Sequence, residues 1–420
     1  MYTFATILSS YPILKYVALL LAYMGLVRHL RFKRINNLLR KYPDPTLPLR
    51  DYKVAREVAA NVATYEFPSL YVVGLDVGIV PTNAIPSISK VLVSTKQIPT
   101  NCLRRIDDSS LLLREVNEVH SRNERRTMIE GRTDVNEMAN DERRKEIAIE
   151  RIKFIHGHYN IKQDDYLYTL YHYINGPLAF IDKFDWRSTT ELEKNAMMAI
   201  WTHNGKALGI EDIPETLPEL KAWAEEYSNQ NTKYHPANTI ATDPLVNLLI
   251  GGLPEFLHQF CRKIFSGFMS PQIREAIKLE TPHAGLTLVF ETLLKARGAF
   301  VKYFMLPRRL PKVRTALRIN QDMKYVPAFH EYGVVRPDGY RIEDIGPDNE
   351  SFPYMTDTNT IISVALETPT KKCIDFTLTE VSRPYETCNL EVHGISDLPG
   401  YIFRECGLRP AQRFAEEIAK

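Results

Sequence analysis

Hydrophobic and polar residues are unevenly spread along the chain, and the first departure comes at its start. Residues 4–27 are mostly apolar, with Lys15 as the one charge in 24 positions. As a helix this run reaches about 36 Å, enough for a hydrocarbon core of about 30 Å. No Lys or Arg precedes Lys15, whereas Arg28, Arg31, Lys33, Arg34, Arg40 and Lys41 follow the run. By the positive-inside rule the C-terminal flank faces the cytoplasm. A cleaved signal peptide carries its basic residues before the apolar core, so retention is expected. Lys15 leaves an uninterrupted run of only residues 16–27, which also suits an interfacial or buried helix; near a helix end it would snorkel toward the headgroups. The expectation is a single membrane anchor over residues 1–41.

Pro43, Pro45 and Pro48 mark a linker. Residues 51–301 then read mainly as helices. An amphipathic segment at 51–65 leads into an apolar one at 67–80. Residues 109–120 begin on an N-cap-like Ser and carry Leu111, Leu112, Leu113, Val116 and Val119. The very polar stretch 121–144 reads as a solvated loop or insertion. Helices are expected at 142–159, 165–184, 189–208, 219–227, 244–250, 255–268 and 286–304. Gly176-Pro177 should kink or divide the second of these, and Gly209 sits where a C-terminal cap belongs. Short β-branched runs at 361–366, 374–381 and 390–392 suggest strands. The resulting fold class is mainly α: an anchor (1–41), one large helical domain (42–318) and a small α/β or β-containing appendage (319–420).

Composition adds limits. With 44% hydrophobic and 25% charged residues among 420, the body is globular. Fifty-three Lys and Arg against 51 Asp and Glu give a net charge of +2, so the footprint of a nucleic-acid binder is missing. The five cysteines, Cys102, Cys261, Cys373, Cys388 and Cys406, are odd in number and widely spaced, and suit reduced thiols in a cytosol-facing body.

Several familiar sites are absent from the sequence: it has no GxGxxG, Walker A, GxSxG or HExxH motif. A Glu-x-x-His pair for a dinuclear carboxylate centre occurs at Glu255 and His258. Its counterpart at Glu280 and His283 is interrupted by Pro282. The histidines remain. Helical steps place Ile149, Ile152, His156 and Tyr159 on one face. An imidazole on such a face is either a hydrogen-bonded core residue or a metal ligand, and a haem iron needs one neutral imidazole from a rigid helix. His172 lies in an aromatic-rich segment, 166–173, that reads as core or pocket lining.

An ordered series of blocks resembles a known family. RIKFIHGHY (151–159) precedes DDYLYTL (164–170), FIDKFDWR (180–187) and WTHNGKALGI (201–210). Upstream lie EFP (66–68) and RRIDDSSLL (104–112). The series, over about residues 66–311, resembles the fungal ER-bound oxygenases of the mycophenolic-acid (mpaB) type, which are related to the bacterial rubber oxygenases. The resemblance implies a globin-like all-α haem domain in which b-type haem is held by one helix histidine. That role carries over to His156 as metal ligand, with Tyr159 beside it. The relatives also place a basic residue and a hydroxyl four positions apart on the distal side. Arg105 and Ser109 match that spacing, with Ser where Thr is usual. Asp108 stands where the rubber enzymes have a second basic group, so the distal chemistry would differ.

The resemblance thus implies a membrane-anchored, haem-dependent oxygenase at the endoplasmic reticulum, its catalytic domain facing the cytosol. With O2 it would cleave or oxygenate a carbon–carbon double bond of a lipophilic prenyl or terpenoid intermediate in fungal secondary metabolism. Other biosynthetic enzymes on the same membrane are candidate partners. A lipid-binding or scaffold protein without redox chemistry meets the same hydrophobic pattern.

Overall fold

The computed structural model describes residues 12–347. Helix α1 (Pro12–Lys41) covers the expected anchor segment, and its span Ile13–Lys41 is long and apolar enough to cross a membrane. Ile13, Tyr16, Leu19, Leu21 and Leu26 are exposed, whereas Val27, Arg31, Ile35 and Leu38 are buried against the body. The helix therefore enters the body at about Val27 and leaves its N-terminal half free.

The body is built of helices. A short turn α2 (Leu47–Arg50) leads to α3 (Tyr52–Ala60), N-capped by Asp51, whose carboxylate accepts from the Lys53 and Val54 amides. A π-helical turn (Asn61–Glu66) joins it to α4 (Pro68–Ile79). Then come α5 (Pro86–Ser94), α6 (Gln97–Asn117), α7 (Val119–Glu130) and α8 (Val135–Gly157). Helices α9 (Gln163–Phe184), α10 (Glu191–Ala207), α11 (Leu217–Asn231) and α12 (Pro236–Ile250) follow. The last are α13 (His258–Ser266), α14 (Pro271–Ala276) and α15 (Ala284–Phe304). The mainly-α reading is borne out; among the described residues the nearest thing to a strand is one antiparallel bridge, Tyr325 to Tyr340. The strands expected at 361–392 lie outside the described residues.

Helices α4 and α9 form the centre of the body, and glycine sets their spacing. A Cβ on Gly74 would lie 2.5 Å from Pro177 Cα, and one on Gly176 would lie 2.6 Å from the Gly74 carbonyl oxygen. The two backbones therefore touch. Gly176-Pro177 does not divide α9; the helix runs through it, with the proline packed onto α4. Around this crossing Leu70, Leu170, Ile174, Leu178 and Ile181 join Val58, Leu192 and Met197 in the largest core cluster. Each such side chain contributes about 1.5–3 kcal/mol by leaving water.

Helix ends follow local chemistry. Thr190 and Glu193 form a reciprocal capping box at the start of α10, and Gly209 (φ +87°) turns the chain just after it. Helix α12 begins at Pro236, not Pro244: His235 caps it by accepting from the Ala237 amide, and Pro244 is carried inside.

The polar stretch 121–144 is not a solvated loop. It forms α7 and the start of α8, joined at Gly131 (φ +69°). Four of its charges point inward. Arg122, Arg126, Asp141 and Arg144 are buried, together with Glu115 of α6. Arg144 donates Nε and Nη2 to the two Glu115 oxygens at 2.9 and 2.7 Å, and Arg122 Nε donates to Asp141 at 2.8 Å. The remaining donors hold the chain that follows α15: Arg144 and Arg126 reach the Ala316 and Leu317 carbonyls, both at 2.8 Å. Glu118 accepts from the Arg314 and Thr315 amides. Residues 312–347 are thereby strapped across α6 and α8, and Tyr325, Tyr340, Ile342 and Ile345 join their hydrophobic cluster. An uncompensated charge here would be costly; the network works because each guanidinium has carboxylate or carbonyl partners.

Candidate active site

Helix α8 ends at Gly157, so His156 occupies its last turn, and the helical phase does not extend to Tyr159. Tyr159 lies in the following turn, its amide donating to the His156 carbonyl at 3.0 Å. The His156 imidazole is half-buried and faces the Tyr166 ring of α9, centroids 5.6 Å apart. Burial first, and the Arg105 charge second, push its pKa down to about 4, so it is neutral at cellular pH. No hydrogen bond to its side chain occurs among the described residues.

Arg105 and Ser109 lie one turn apart inside α6, which starts twelve residues before Ser109 and has a kink at Asn101. Ser109 is therefore not an N-cap. Its hydroxyl donates to the Arg105 carbonyl at 2.9 Å and accepts from the Arg105 guanidinium. Asp108 faces elsewhere: Arg336 of the strap binds it, and Arg104 lies 4.0 Å away. Arg105 and His156 thus share one neighbourhood with Ser109, while Asp108 serves the strap.

The rest of the wall is aromatic. Tyr173 of α9 stacks on Trp201 of α10, centroids 5.0 Å apart and planes within 5°. Tyr173 lies in the fields of both Arg105 and Asp76, and burial raises its pKa. Asp76 of α4 accepts from the Tyr332 hydroxyl, which the strap supplies. Burial pushes the Asp76 carboxyl up to about 7, against the lowering effect of the Tyr332 hydrogen bond.

His172 is sealed. Its Nε2 is buried without a partner, and its ring is enclosed by Tyr168 and Tyr171. Burial lowers its pKa to about 3. That nitrogen has no exposed surface, whereas the His156 side chain is only half-buried.

Comparison with curated proteins finds similar chains that are named oxygenases. The chain is 28% identical over 337 residues to the ER-bound oxygenase mpaB' of Penicillium brevicompactum, covering 75% of each chain. It is 27% identical over 282 residues to the ER-bound oxygenase mpaB of Penicillium roqueforti, covering 62% of this chain and 88% of the other. A third, the mpaB of Penicillium brevicompactum, is 26% identical over 74% of both. The chain is thus similar to the mpaB-type oxygenases. No family model and no solved structure matches it.

The mpaB-type resemblance pointed to Arg105, Ser109 and His156, and the fold brings the three together. It did not point to Asp76 or Tyr332. Asp76 left a signal, as the one charge in the apolar run 67–80, since a charge there must find a partner or be neutralised. Tyr332 left none, because only the strapping of residues 312–347 brings it to α4.

Proposed function

We propose that this protein is a membrane-anchored, haem-dependent oxygenase acting on an alkene in a lipophilic, prenyl-derived molecule. The observation that supports the cofactor is His156: a half-buried, neutral imidazole near the end of a helix, beside the Tyr166 ring and the Arg105 cation. Among the described residues no three His, Cys, Asp or Glu side chains converge to hold a metal ion. One protein ligand suffices only where the metal brings its own macrocycle. His156 would be that ligand. Haem b, when bound, supplies the activation of O2.

The chain's own residues do the rest. Arg105 places a fixed positive charge where negative charge develops on oxygen, and Ser109 holds that guanidinium in place. Tyr166, Tyr173 and Trp201 exclude water and present apolar surface to an isoprenoid chain. Asp76, whose carboxyl burial raises to about 7, and Tyr332 offer hydrogen bonds to a substrate oxygen. Helix α1 tethers the site where such substrates partition. The ER-bound naming of the relatives supports the same placement on the endoplasmic reticulum, with the basic flank of α1 and the body in the cytosol.

The test is conversion. Purified protein, supplied with haem and O2, should turn a prenylated alkene into carbonyl products, with O2 consumed in step. Tight binding of the alkene with no O2 uptake would overturn the oxygenase reading in favour of a carrier.

A further inference from the structure

The second half of α15 and the chain just after it lie against α1 where that helix leaves the body. Tyr23 donates its hydroxyl to the Phe304 carbonyl at 2.8 Å, and Arg31 donates to the Met305 and Leu306 carbonyls. This corner is apolar outward. Val289, Leu293 and Phe300 fall on one stripe of α15 and are exposed, Phe300 by 54%. Met305 and Leu306 continue the surface, Leu306 being 56% exposed. Exposed Arg308 and Arg309 follow at once. On α1 a groove of about 380 Å³, opening just past the apolar half, is lined by Arg28, His29, Lys33 and Arg40.

Apolar side chains next to a rim of cations match an anionic bilayer interface. The apolar groups enter the headgroup–acyl boundary while the cations meet lipid phosphates. An exposed stripe of this kind is unfavourable in water, and the free half of α1 continues directly from it.

We propose that the exposed stripe of α15 and the segment Met305 to Arg309 are a second membrane contact, which seats the body on an anionic phospholipid surface beside α1. The contact fixes the orientation of the body as well as its attachment. This inference rests on the reading of α1 as a membrane anchor.

Photo-crosslinking separates the two. The full chain is reconstituted into vesicles of phosphatidylcholine with phosphatidylinositol, with benzoylphenylalanine at position 300, 306, 20 or 221. Leu20 reports the anchor. Lys221, on α11 and 56% exposed, reports surface remote from α1. Positions 300 and 306 should crosslink lipid several-fold more than position 221, and more with phosphatidylinositol than without it. If position 20 crosslinks while 300 and 306 match 221, the second contact is overturned and the anchor stands. If position 20 also matches 221, both are overturned.

Discussion

Arg122 and Asp141 are both fully buried and joined at 2.8 Å, although they come from the most polar stretch of the chain. Asp141 also receives Arg126 at 2.9 Å and Arg144 at 3.4 Å, so it balances three guanidinium groups. Asp141→Ala should destabilise the body by roughly 3–5 kcal/mol, because it leaves buried cations unpaired. Thermal melts in detergent check this, and limited proteolysis should show the strap released first.

Backbone contact between α4 and α9 leaves no room at Gly176. Gly176→Ala places a methyl 2.6 Å from the Gly74 carbonyl oxygen. The helices must separate, at a cost of about 1–3 kcal/mol or more. Gly157→Ala meets nothing within 4 Å and is the control. Comparing their melting temperatures tests whether the crossing, and not helix propensity, sets the effect.

Asp76 has a pKa of about 7 in the folded chain, against an ordinary value of 3.8. A raised carboxyl favours the folded state while it is protonated. Its contribution is complete below about pH 4 and is lost as pH rises to about 7, with no further change above. Asp76→Asn removes this titration. The stability of the wild type relative to the variant should therefore fall across that window and stay flat above it, as read from melts at a series of pH values.

Charge stabilisation by Arg105 is testable by kinetics. Arg105→Gln should lower turnover on the order of 10²-fold with little change in substrate affinity. Ser109→Ala should lower it less, since it frees the guanidinium without removing it. Equal losses in kcat and kcat/KM would place the effect in the transition state.

Much of this was legible in the sequence, and the exceptions share a cause. The long apolar N-terminal helix, the turn at Gly209 and the aromatic face of α9 are local patterns, and each appears where expected. The stretch 121–144 misleads because periodicity reads charge as solvent-facing, while here the arginines pair with Glu115 and Asp141 from other turns and helices. Proline misleads in the same way. Pro177 and Pro244 sit inside helices because packing of α9 on α4, and the earlier start of α12, outweigh the lost hydrogen bonds. At the site, Arg105, Ser109 and His156 came from short ordered blocks, whereas Tyr332 depends on a chain reversal that no local pattern encodes.

The central claim is that His156 holds haem, and the absorption spectrum tests it most directly. Protein expressed with haem supplementation should show a Soret band, and His156→Ala should lose it while keeping its helical circular dichroism. His172→Ala, at a sealed nitrogen, should keep the band if it folds. A wild-type protein without a Soret band, or a His156→Ala variant that retains it unchanged, would contradict the account.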